Sequence, residues 1–76
     1  MKTELTPLSI YLKEKRKLSQ LTQKQLSEKA GVGLRFVRDL EQGKTTLRMD
    51  KVNQVLKLFG TELGTVPLNR EKLTNV

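Results

Sequence analysis

The chain has 76 residues and a formal net charge of +7, from 15 Lys and Arg residues against 8 Asp and Glu residues. This length supports one small domain, whose core would gain from burial against a second copy. The absence of Cys and His excludes disulfides and zinc sites built from thiolate or imidazole ligands. Residues 1–13 contain no long apolar run, so we expect a cytoplasmic protein without a signal peptide or membrane span.

The positive charge favours a polyanionic partner, although an ordinary solvated surface explains it equally well. Basic residues are concentrated in residues 13–17 and again between residues 24 and 51. The run at 15–17 lies near the end of a predicted helix, where it suits the helix dipole and is only a weak sign of binding. The placement of the other charges therefore has to decide between the two interpretations.

The first predicted helix begins after Thr6, a suitable N-cap, with Pro7 at its first position. Its apolar stripe is predicted to contain Leu8, Tyr11 and Leu12, with Leu18 as a further core candidate.

A second helix is predicted to begin with the capping box at residues 22–25 and to end at Gly31 in the left-handed conformation. A third helix begins near Gly33 and is closed by Gly43. The short connection between them predicts a steep crossing of the two axes. Helical spacing places Phe36, Val37 and Leu40 inward and Leu34, Arg35, Arg38 and Gln42 outward.

A fourth helix is predicted from about Asp50, as its cap, to Phe59, with Gly60 as its stop and an apolar stripe that includes Met49 and Val52. Residues 61–66 are too short for another helix and indicate either an extended tail or a strand that pairs with a second copy. The predicted organisation is one domain at 1–67, which includes the candidate dimerisation segment, and a flexible tail at 68–76.

Catalysis is not supported by the residues present. Without His or Cys, a serine nucleophile has no ordinary base, and no serine has a local arrangement that suggests activation. Asp39 and Glu41 are two residues apart on a helix and do not face each other. The sequence at 31–33 resembles the start of a dinucleotide fingerprint, but Phe36 occupies the third glycine position and no strand precedes it. We therefore expect a protein without enzymatic activity, without a bound cofactor and without a metal site.

DNA binding has a physical basis in the third helix. Arg35 and Arg38 lie one turn apart on its outer side, and an arginine fork matches the O6 and N7 acceptors of guanine. Gln23, at the start of the preceding helix, can offer side-chain and backbone donors to a phosphate. Lys24 and Lys44 flank the same region and are candidates for phosphate contacts.

Residues 21–44, LTQKQLSEKAGVGLRFVRDLEQGK, resemble the helix-turn-helix of the Xre/Cro phage-repressor family, and the likeness extends over about residues 8–59. The resemblance implies an all-α, lambda-repressor-like bundle of four helices. Residues 46–60 and the short strand after them are similar to the narrower group of HipB-type antitoxins. In that group a dimeric repressor is encoded with a HipA-like serine/threonine kinase toxin.

The resemblance also implies roles for individual residues. Its base-reading positions correspond to Gly33, Leu34, Arg35 and Arg38. Its phosphate positions correspond to Gln23 and Lys44. Its structural pair, which ties the first helix to the third, corresponds to Arg16 and Glu41.

Two departures from the family pattern affect the third helix. Gly33 stands where Ser or Thr is common, so this helix lacks a side-chain cap. Leu34 stands at a base-reading position that is commonly polar, which indicates contact with a thymine methyl or simply helix packing.

Dimerisation is assigned to the predicted strand, at Leu63, Thr65 and Val66.

The resulting prediction is a DNA-binding repressor that acts as a dimer on a palindromic operator, regulates its own operon and neutralises a HipA-like kinase. The alternatives are a stand-alone phage-type repressor and a protein whose main task is to inhibit a toxin. Nonspecific coating of nucleic acid is disfavoured, because it requires stacking aromatics and Tyr11, Phe36 and Phe59 all lie on apolar faces.

Overall fold

The computed structural model describes residues 5–67, which contain four helices and no strand. The predicted all-α helix-turn-helix bundle is confirmed. The tail predicted at 68–76 lies outside the described residues. The helices are α1 (Pro7–Leu18), α2 (Gln23–Ala30), α3 (Leu34–Glu41) and α4 (Met49–Lys57).

Capping boxes begin the first two helices, as their sequences allow. The Thr22 hydroxyl accepts from the Gln25 backbone N–H at 3.0 Å, and the Gln25 side chain accepts from the Thr22 N–H at 2.9 Å. At α1, the Thr6 hydroxyl accepts from the Ser9 N–H, and Ser9 Oγ accepts from the Thr6 N–H in return. Each box satisfies backbone donors that have no partner inside a helix, and so defines where the helix starts.

The hydrophobic core lies where α3 packs against α1 and α2, with α4 packed against α2. Leu12, Leu26, Val37 and Val55 have no exposed surface. One side of every helix therefore contributes to a single core. The buried apolar residues are Leu12, Leu26, Ala30, Val37, Leu40, Val52, Val55 and Leu56.

The prediction that Leu18 joins the core is wrong, because its side chain is 77% exposed. The chain reverses after α1 through Gln20, which has a φ of 58°. This reversal brings Leu21 back against the core, where Leu21 is partly buried. Leu21 thus occupies the place that the sequence assigned to Leu18.

The start of α4 also differs from the prediction. The N-cap is Arg48, so Asp50 lies in the first turn instead of at the cap, and Met49 is 68% exposed. The Arg48 guanidinium donates to the Asp50 carboxylate at 2.7 and 3.1 Å. This hydrogen bond holds the pKa of Asp50 below its ordinary value. A negative charge in the first turn also suits the helix dipole. At the other end α4 stops at Lys57, and Phe59 packs against the core from the following turn.

Residues 61–67 form neither helix nor strand in the single chain. The Leu63 N–H donates to Asn53 Oδ1 at 2.7 Å, and the Thr61 hydroxyl donates to the Leu56 carbonyl at 3.1 Å. Leu63 packs against the core of its own chain. The segment is therefore attached to α4, and its pairing with a second copy stays a prediction.

Replacing Gln20 with Gly should stabilise the domain by about 0.5–1 kcal/mol. Gln20 adopts a left-handed φ that favours glycine, and the gain is reduced by the greater freedom of glycine in the unfolded chain. The midpoint of urea unfolding measures the effect. Ser19→Gly is a matched control. Ser19 has an ordinary φ of −84°, so this substitution should lower the stability of the domain. Equal gains in stability from both variants would show that backbone strain at Gln20 is not the cause.

Candidate nucleic-acid interface

The turn between α2 and α3 is held in place by α4. Gly31 ends α2 with a φ of 73°, in the left-handed region. The Gln54 side chain donates to the Ala30 carbonyl at 2.9 Å and to the Gly31 carbonyl at 3.1 Å. Gln54 therefore ties the end of α2 and the following turn to α4. The sequence gives no sign of this role for Gln54, because no local pattern connects it to a turn more than 20 positions away.

The outer face of α3 is cationic and open. The Arg35 side chain is 86% exposed, and Arg38 is also exposed, whereas Val37 and Leu40 on the opposite face are buried. An α-helix with its side chains is about 10–12 Å across. The major groove of B-DNA is roughly 12 Å wide and admits an α-helix. The helix can thus present both arginines while its other face stays in the core.

The start of α3 leaves room for a close approach. Gly33 is its N-cap and makes no side-chain hydrogen bond, as the sequence predicts. A Cβ at Gly33 would meet no atom within 4 Å, so neither crowding nor a positive φ requires glycine there. Leu34, the next residue, is half-buried beside Arg35. Part of the Leu34 side chain therefore remains free for an apolar contact.

One carboxylate lies among the cations of this surface. Asp39 Oδ1 is 3.4 Å from Arg35 Nε, and Asp39 Oδ2 is 3.7 Å from Lys44 Nζ. Arg35, Arg38, Asp39 and Gln42 line a shallow recess of about 310 Å³. Arg38 makes no ion pair with any residue in the range 5–67.

A buried network ties together α1, α2 and α3. Arg16 Nε donates to Glu41 Oε2 at 2.6 Å, and an Arg16 terminal nitrogen donates to Glu41 Oε1 at 3.0 Å. The other terminal nitrogen donates to the Leu21 carbonyl at 2.9 Å. The side chains of Arg16 and Glu41 are only 13% and 3% exposed. Arg16 therefore has a structural position and does not belong to the cationic surface.

Gln23 belongs to the same network. Its amide donates to Glu41 Oε1 at 3.1 Å, and its side chain is half-buried. This hydrogen bond orients Gln23 at the first position of α2, where backbone N–H groups attract anions. Lys24, beside it, is exposed, and the Lys44 side chain is 51% exposed. Gln23 thus keeps a backbone donor for a phosphate while one side-chain donor is already used.

The residues assigned to dimerisation lie on the segment after α4. Leu63 faces its own core, whereas Thr65 and Val66 are exposed, Val66 to 79%. Two open apolar recesses, of about 400 and 450 Å³, meet at Pro7, Leu8 and Leu63. An apolar surface therefore lies next to this segment.

Within residues 5–67, no three acidic side chains are grouped as a metal site would require. No helix in this range has the length and apolar composition needed to cross a bilayer.

The fold and the exposed arginines of α3 define the class of this protein. A family model described as helix-turn-helix, HTH_3, matches residues 12–66, and the chain belongs to this family. The predicted Xre/Cro-type resemblance is thereby confirmed. It is a helix-turn-helix protein of the class of DNA-binding transcriptional regulators.

The comparison with individual proteins points to the same class. The chain is 50% identical over 58 residues to the uncharacterized HTH-type transcriptional regulator y4mF of Sinorhizobium fredii. The alignment covers 75% of this chain and 76% of that relative. No solved structure matches the chain significantly.

Proposed function

We propose that this protein is a sequence-specific repressor that binds a palindromic operator as a dimer. The observation that carries the proposal is the two-sided character of α3. Its inner face is locked into the core by Val37 and Leu40, while Arg35 and Arg38 are exposed on its outer face. A rigid helix that presents two arginine forks suits bidentate contacts with guanine in the major groove.

In this proposal phosphate contacts position α3 before it reads bases. Lys24 and Lys44 supply positive charge on either side of α3, and the start of α2 supplies the backbone donor of Gln23. Bases are read from Gly33, Leu34, Arg35 and Arg38. Two copies place their α3 helices in successive major grooves about 34 Å apart, and occupancy of the promoter represses transcription.

The proposed dimer forms through residues 61–66. The segment is attached to α4 by the hydrogen bond between Leu63 and Asn53, so its position relative to α3 is defined. Thr65 and Val66 are exposed next to the apolar recesses. Pairing of this segment with its copy would supply partners for its backbone groups and fix the distance between the two α3 helices.

The proposed biological role is that of an antitoxin. Residues 46–60 resemble HipB-type antitoxins, and this resemblance supports a HipA-like serine/threonine kinase as the protein partner. The dimer would repress its own operon and hold the kinase inactive. DNA binding by α3 leaves the outer faces of α1 and α4 available for such a partner.

Selection of bound sites from random DNA duplexes tests the DNA-binding part of the proposal. We expect enrichment of an inverted repeat whose half-sites are about one helical turn apart. Sedimentation of the free protein should give the mass of a dimer. Enrichment of a single half-site would contradict the dimer, and the absence of any enriched sequence would contradict specific recognition.

Co-expression with a kinase encoded next to this chain tests the antitoxin role. A stable complex in which kinase activity is lost is the expected result. A protein that selects an operator but leaves the kinase active would be a plain repressor of the phage type. Inhibition of the kinase without operator selection would indicate an inhibitor in which DNA binding is not the main task.

A further inference from the structure

Asp39 is an acidic residue on a surface that otherwise suits binding to phosphates. It lines the same recess as Arg35 and Arg38, and its side chain is 18% exposed. One carboxylate oxygen faces Arg35 Nε at 3.4 Å and the other faces Lys44 Nζ at 3.7 Å. A single carboxylate therefore bridges a base-reading candidate and a phosphate-binding candidate.

The stability of α3 does not explain why an acidic residue stands at position 39. It lies in the last turn of α3, which ends at Glu41, and a negative charge there opposes the helix dipole. An acidic residue placed four positions after its basic partner is also the less favourable order for such a pair. On a DNA-binding surface the carboxylate further repels phosphates. Two electrostatic effects, the helix dipole and the DNA phosphates, oppose an acid at this position, and the order of the pair weakens its attraction to Arg35. A gain of another kind would account for it.

The geometry of the Arg35 side chain shows what that gain can be. The Asp39 carboxylate lies 3.4 Å from Arg35 Nε, an ion pair longer than an ordinary hydrogen bond, so the terminal NH₂ groups can still turn toward DNA. A guanidinium held in this way can present its two terminal groups end-on to O6 and N7 of guanine. An arginine with an 86% exposed side chain would otherwise sample many rotamers and reach phosphates as readily as bases.

We propose that Asp39 is the positioning residue that gives Arg35 its base selectivity. This inference rests on the proposed role of α3 in reading DNA. Asp39 limits Arg35 to orientations that suit a base edge, and its negative charge weakens attachment to duplexes in which that base is absent. The restricted orientation raises the ratio of specific to nonspecific affinity, which is the quantity that matters among many competing sites. The repulsion of phosphates lowers both affinities.

The test compares wild-type protein with Asp39→Asn, which keeps the shape of the side chain and removes its charge. Site selection with the wild-type protein first provides the preferred duplex. For Asp39→Asn we expect nonspecific affinity to rise about twofold to fivefold. We expect the ratio of specific to nonspecific affinity to fall about tenfold. The loss of preference should be confined to the base pair that Arg35 reads.

Glu14→Gln is the matched control, because it removes the same charge from an exposed position on α1. It should leave the preference at every base pair unchanged. An Arg35→Ala, Asp39→Asn double variant tests whether Asp39 acts on base preference through Arg35 or only stabilises the fold. In the Arg35→Ala background, the additional Asp39→Asn change should not alter base preference any further, even if it changes thermal stability.

The outcomes separate this inference from the proposal on which it rests. Enrichment of no sequence by the wild-type protein would overturn the proposed function and this role together. Specific binding by wild type with an unchanged preference in Asp39→Asn would overturn the role of Asp39 alone. An equal loss of selectivity in Glu14→Gln would also overturn it, since net charge would then explain the effect.

Discussion

Replacing Glu41 with Ala should destabilise the domain by about 3–5 kcal/mol, because it leaves the guanidinium of Arg16 buried without its countercharge. The Glu41 side chain is 3% exposed and accepts hydrogen bonds from both Arg16 and Gln23. A domain of 76 residues has a total stability of roughly 4–11 kcal/mol. The variant should therefore lose a large share of its stability, and urea or thermal unfolding measures the loss.

Two comparisons identify burial as the cause. Asp50→Ala removes an ion pair of similar length, 2.7 Å from Arg48, but both side chains are more than 60% exposed. That change should have a far smaller effect, because solvent screens exposed pairs. An Arg16→Met, Glu41→Leu double variant removes both charges and should recover at least half of the stability lost in Glu41→Ala. Comparable losses in all three variants would contradict the account.

Replacing Arg35 or Arg38 with Ala should weaken binding to the preferred duplex by about 1–3 kcal/mol each and relax selectivity at one base pair. Both side chains are exposed on α3, so truncation should leave the fold intact. Binding titrations against a panel of duplexes, each with one altered base pair, measure the effect. Unchanged affinity and preference in both variants would remove these arginines from the base-reading set.

Lys24→Ala is the control that separates base reading from phosphate contact. Lys24 is exposed at the start of α2 and is assigned to phosphate. Its loss should weaken binding to all sequences about equally and reduce the salt dependence of binding by about one unit of slope. A loss confined to one base pair would assign Lys24 to base reading instead.

The starts of α1 and α2 were predictable from sequence because their determinants are local. Thr22 and Gln25 are three residues apart, and each satisfies a backbone donor of the other. Gly31 ends α2 in the left-handed conformation for an equally local reason. The exposure of Arg35 and Arg38 followed from helical spacing, because the apolar positions of α3 had to face the core.

Other features were not predictable because they depend on which element lies nearby. Leu18 and Leu21 are both apolar residues near the end of α1, and the reversal at Gln20 decides which of them is buried. Asp50 is a good cap by composition, yet it lies in the first turn of α4, where it pairs with Arg48.

The sequence by itself determined the four helices, the turn between α2 and α3, and the cationic outer face of α3. These depend on capping, glycine conformation and hydrophobic periodicity, which act over a few residues. The tertiary structure alone decided that Gln54 holds the turn and that Gln23 shares Glu41 with Arg16. Hydrogen bonds and ion pairs act over only a few ångströms, so a pair distant in sequence meets only after the core has brought its helices together.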